Sequence, residues 1–153
     1  MSIYHRILAP IDGSPTAEAG MREAIRLARD QQAQLRFFHV VDAYLLVAYY
    51  GPTVLLEETI TTMREAGQAT LDRAVQAARE QGVQADSLII DSTAGRVSPR
   101  IVEQARNWPA DLIVIGTHGR RGVGHLVMGS DAEEVVRSAP VPVLLVRQPA
   151  EAG

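Results

Sequence analysis

The sequence predicts an α/β fold, a doubly wound, Rossmann-like sheet of five parallel strands with helices on both faces. Three observations lead there. Residues 7–11, 35–41 and 112–115 are near-continuous apolar runs, as expected of strands covered on both sides. The stretches between them place apolar residues at helical spacing. Strand and helix patterns alternate along the chain, which calls for right-handed crossovers and a wound sheet.

Each element has its own signal. The first strand ends at Asp12-Gly13-Ser14-Pro15, where Ser14 is placed to cap a helix and Pro15 to occupy its first position; Met21, Ala24, Ile25 and Ala28 then recur on one face to about Gln32. The second strand brings Phe37, Phe38, His39 and Val40 to its carboxyl end. Residues 42–54 lack clear periodicity and are unusually apolar for a connection, with Tyr44, Leu45, Leu46, Val47, Tyr49 and Tyr50. They read either as a flap or partner surface, or as a segment packed on the body or beginning the next helix. Residues 57–81 form the longest helical pattern, with Leu71, Ala74, Val75 and Ala78 inward and Gly82 as its stop. The third strand is read at residues 88–90 and a turn at 91–96. Ser98-Pro99 starts the next helix, Trp108 covers the core's end and Pro109 stops it. A last helix spans residues 130–138 and a fifth strand 141–146. One domain over residues 1–148 with a frayed tail at 149–153 follows, the usual size for a single core.

Composition removes whole classes of function. A net charge of −3, with both signs mixed along the chain, argues against nucleic acid. There is no cysteine, hence no disulfide, zinc-thiolate site or thiol nucleophile. All fifteen basic residues are arginine, so a Walker A lysine, a kinase strand lysine and a lysine Schiff base are excluded. The first residues run straight into a strand, with neither a signal segment nor an apolar span that could cross a bilayer, and the expectation is a cytoplasmic protein.

The stretch with most chemical content is residues 116–130, which join the fourth strand's carboxyl end to the last helix. Its five glycines let the backbone come close to a ligand, and the helix amino end offers partial positive charge to an anion. Gly116, Gly119 and Gly129 each stand where a side chain would block approach of backbone to phosphate. Ser130, with Glu133 three residues on, reads as a capping box; its hydroxyl is placed to accept from the Glu133 N–H, to donate to a phosphate oxygen, or both. Asp12 stands at the same edge of the sheet, where ligands bind in this fold class. It reads either as a ligand contact or as an Asx cap of the Gly13-Ser14 turn. His118 and His125 lack an adjacent orienting carboxylate for general-base work. Arg120 and Arg121 either neutralise phosphates or are solvated loop residues.

Gly116-x-x-Gly119, nine residues, then Gly129-Ser130 is similar to the nucleotide motif of the universal stress proteins, and the chain resembles that family from its first strand to its last. The resemblance implies strand order 3-2-1-4-5 and a site for ATP, or for the related AMP or ADP, with Mg2+ or Mn2+ on the phosphates. It places Pro10 and Val40 along the adenine and Asp12 beside the nucleotide. With Ile11, Ile115, Gly116, His118, Gly119, Gly129, Ser130 and Asp131 they complete the expected site. It also implies a homodimer through antiparallel pairing of the fifth strands, a signalling role and an unknown protein partner. Asp131 departs from the small or apolar residue that many relatives carry there. A carboxylate in the first helical turn suits the helix dipole and repels phosphate, which leaves open weaker ATP binding, a metal-bridged form or a less charged nucleotide. The rival functions are a slow metal-assisted ATP hydrolase or phosphotransferase, and a nucleotide-free interaction or chaperone module.

Overall fold

In a computed structural model, residues 2–51, 53–117 and 128–148 are described. The elements in chain order are β1 (Arg6–Pro10), α1 (Pro15–Gln31), β2 (Gln34–Asp42), α2 (Tyr44–Tyr50), α3 (Val54–Glu80), β3 (Ala85–Ser92), α4 (Val97–Asn107), β4 (Leu112–Gly116), α5 (Ser130–Ser138) and β5 (Val143–Val146). The five strands form one sheet of order β3-β2-β1-β4-β5, and every adjacent pair is parallel.

The apolar runs divide by parity between two cores. Ile7, Ala9, Leu35, Phe37, Leu112 and Val114 point to one face, where α1 and α3 cover them with Ala24, Ile25, Ala28, Leu71, Ala74 and Ala78. Leu8, Phe38, Val40, Ile113 and Ile115 point to the other, where α4 and α5 supply Ile101, Ala105, Ala132 and Val135. Strand neighbours therefore serve opposite layers, which is why these runs are almost wholly apolar, with Arg36 and His39 of β2 as the exceptions. Each large side chain fully buried here contributes roughly 1.5–3 kcal/mol. The small alanines on the helices let the layers approach closely.

Local rules set several boundaries. Ser14 accepts from the Ala17 N–H at 3.1 Å and Pro15 opens α1 as expected. α3 closes with Gly82 at φ 77°, its N–H on Arg79 O and the Val83 N–H on Ala78 O. α1 closes the same way, except that Gln32 occupies the left-handed position at φ 53°.

Four expectations are corrected. Residues 42–54 contain the short helix α2, which has no buried residue, and α3 begins at Val54 because Thr53 accepts from the Leu56 N–H. β3 runs well beyond residues 88–90: it is an edge strand with polar side chains at both ends, and Asp86 faces its register partner Arg36 in an ion pair of 2.8 Å. α4 starts at Val97 with Arg96 in the cap position, so Ser98 lies inside the helix. β5 is shorter than expected, beginning at Val143.

Candidate functional site

The carboxyl ends of β1, β2 and β4 and the amino ends of α4 and α5 share one rim of the sheet, and a cavity of about 940 Å³ opens there. Nine of the expected site residues line it: Pro10, Ile11, Asp12, Val40, Ile115, Gly116, Gly129, Ser130 and Asp131. His118 and Gly119 lie outside the described residues, as do Arg120, Arg121 and His125. One flank is apolar, built from Pro10, Phe38, Val40 and Met63 with Leu45 from α2. Such a slot suits a flat aromatic ring.

His39 fixes the floor. Its Nδ1 lies 2.8 Å from the Ile11 carbonyl oxygen. A carbonyl only accepts, so Nδ1 carries the proton, and the ring ties β2 to the chain as it leaves β1. α3 passes directly over this ring: a Cβ on Gly67 would overlap the imidazole at Cδ2. Glycine at position 67 is thus a condition for seating α3 on β2.

Gly116 has a similar packing reason. A Cβ there would lie 2.5 Å from the Thr16 carbonyl oxygen and 3.0 Å from the Ala17 nitrogen. Besides the expected clearance for phosphate, this glycine clears space for the first turn of α1. Gly20, one turn along α1, would itself carry a Cβ 3.1 Å from the Gly116 nitrogen.

Gly129, not Ser130, occupies the cap position of α5, and among the described residues no side chain caps its first turn. The capping box of Ser130 and Glu133 is absent because Ser130 is already helical, while Glu133 pairs with Arg137 at 2.8 Å and its N–H bonds Gly129 O. The amino end of α5, with Gly129, Ser130 and Asp131, therefore forms part of the cavity wall, its cap position held by a residue without a side chain. Asp12 fulfils its local role, its Oδ1 accepting from the Ser14 N–H at 2.9 Å, and borders the cavity as well.

Asp131 is exposed as a residue, yet its carboxyl group is partly withdrawn from water. That withdrawal, and the neighbouring carboxylates of Asp42 and Asp12, raise its pKa above the ordinary carboxylate value; Arg96 and the nearby Ser98 N–H pull the other way. The Ser98 hydroxyl is buried without a hydrogen-bond partner among the described residues.

Sequence reasoning missed Asp42, Leu45, Met63 and Val97 in the wall. A signal existed for one of them. Asp42 closes the apolar run of β2 as Asp12 closes that of β1. Among the described residues, no group of three or more His, Asp or Glu is placed to hold a metal ion.

The comparison with known families decides the wider relationship: the model of the universal stress protein family matches residues 3–147. The chain belongs to this family. A universal stress protein of Methanocaldococcus jannaschii is 33% identical over 150 residues, covering 97% of this chain and 85% of the relative. A solved member of the universal stress protein family from Burkholderia pseudomallei superposes with TM-score 0.74 at 33% identity, covering 95% of this chain and 97% of its own. Other solved family members with this fold bind adenine nucleotides. One is in complex with cAMP (TM-score 0.71, 22% identity, 97% and 100% covered), and that of Archaeoglobus fulgidus is in complex with dAMP (0.67, 24%, 94% and 98%).

Proposed function

We propose that this universal stress protein binds an adenine nucleotide in the rim cavity and acts as a nucleotide-responsive stress or signalling module. The observation that carries the reading is the pairing of two unlike surfaces in one cavity: an apolar slot at the ends of β1 and β2, and an α5 amino end with no side-chain cap. The first suits a base and the second a phosphate. The nucleotide complexes of family members support it. ATP, ADP and AMP share the base, ribose and first phosphate that these surfaces would hold. A divalent ion, Mg2+ or Mn2+, would arrive on the phosphates of ATP, with Asp12 as the nearby carboxylate.

A homodimer across the free edge of β5 accompanies this reading, since Leu144 is exposed on a strand paired on one side only. The location is proposed as cytoplasmic; among the described residues no helix is long and apolar enough to cross a membrane.

Calorimetric titration with AMP and with ATP plus magnesium tests the site. Gly129→Val is the decisive variant: the backbone there, at φ −60°, accepts any residue, so the domain stays folded while a branched side chain obstructs the amino end of α5. Binding is expected to weaken by roughly tenfold or more, about 1.4 kcal/mol. An unchanged dissociation constant in the folded variant would show that the ligand sits elsewhere.

A further inference from the structure

This inference rests on the adenine-nucleotide reading above and concerns which nucleotide passes. The described wall of the cavity holds Asp12 after β1, Asp42 at the end of β2 and Asp131 in the first turn of α5, and no described lining residue is an arginine. Lysine is absent from the whole chain. Asp42 and Asp12 lie close enough to Asp131 to disfavour its charge, and the cation that offsets them, Arg96, stands ahead of α4. Beside Arg96, the backbone N–H of Ser98 at the start of α4 also favours the ionised form of Asp131.

A phosphate arriving at α5 meets two opposing influences within one helical turn. Backbone N–H groups attract the first phosphate equally whether further phosphates follow or not. Repulsion from the carboxylates of the wall increases with every additional negative charge on the tail. We infer that Asp131, seconded by Asp42, is a specificity-determining residue that makes the site a charge filter, admitting adenine nucleotides with a single phosphate ahead of the free triphosphate. The cyclic and open monophosphates share the base, ribose and one phosphate, and the cyclic form, with less charge, passes more easily. A divalent ion on the triphosphate relieves part of the discrimination.

The test is calorimetric titration of the whole chain with cAMP, AMP, metal-free ATP and ATP with magnesium, on the wild type, Asp131→Asn, Asp42→Asn and, as a remote charge control, Asp30→Asn near the carboxyl end of α1. The wild type is expected to bind AMP about tenfold or more tightly than metal-free ATP. Asp131→Asn, which removes the charge and keeps the shape, is expected to narrow that ratio by about fivefold, Asp42→Asn by about twofold, and Asp30→Asn not at all. Added salt should narrow the wild-type ratio as well. The filter is overturned if the wild type binds metal-free ATP as tightly as AMP, or if the ratio is unmoved in both folded variants of the wall. A chain that binds no adenine nucleotide loses the proposed function and the filter together; binding with an unchanged ratio removes the filter alone.

Discussion

Two helices begin at the same rim of the sheet, and their first turns are treated in opposite ways. α1 is closed by its own sequence: Ser14, 4% exposed, accepts from Ala17, and Asp12 accepts from Ser14. α5 opens with Gly129, which has no side chain to close it, followed by the exposed residues Ser130 and Asp131. A helix amino end holds donors that need acceptors, and the source of the acceptor decides its role. Where a local side chain supplies it, the end is structural. Where none does, the end is available to an anion.

This contrast can be broken at several points. The largest effect is expected from Gly116→Ala, because its Cβ would press on the backbone of the closed turn at Thr16 and Ala17, and backbone there cannot move without shifting α1 off β4. A loss of about 2–3 kcal/mol is expected, read from urea unfolding midpoints. Ser14→Ala removes the local cap and should cost about 1 kcal/mol in the same assay. That loss should leave nucleotide affinity unchanged, whereas Gly129→Val should do the reverse; equal effects on both quantities would erase the distinction between the two ends.

The smallest effect is a pH dependence. In the folded chain the carboxyl of Asp131 has a raised pKa, so the fold holds its proton more firmly than the unfolded chain does. Its contribution favours folding below the ordinary carboxylate value and is lost as pH rises through the folded value. At neutral pH the ionised group therefore works against the fold. Asp131→Asn is expected to raise Tm at pH 7 by under about 2 °C, with the gain vanishing in acid. A Tm that falls at pH 7 would mean that attraction to Arg96 outweighs the crowding of carboxylates and the loss of hydration.

Much of this architecture was legible in the sequence, and what was hidden has physical reasons. The strands buried on both faces, β1, β2 and β4, announce themselves as near-continuous apolar runs. β3 does not, because at the sheet's edge Asp86 and Asp91 are free to face solvent and pair with Arg36 and Arg64. α2 has no amphipathic pattern because it buries no face. Ser98 resembles a cap in one dimension, but α4 starts one residue earlier, with Arg96 in the cap position. At the site, glycine spacing and Asp12 could be read locally, whereas Leu45 and Met63 reach the cavity only through the path of α2 and α3. Gly116 shows that a packing demand can hide behind a motif: it borders the cavity, and the neighbouring helix also leaves no room for a side chain there.

The parallel sheet separates labour between its two ends. Both long helices of one layer finish on the far side from the cavity, α1 at Gln32 and α3 at Gly82, each sealed by paired bonds from the next two N–H groups back into its last turn. Since that side makes no contribution to the pocket, the turn at residues 81–84 is a place to splice a fluorescent reporter or a fused module and watch occupancy without disturbing it.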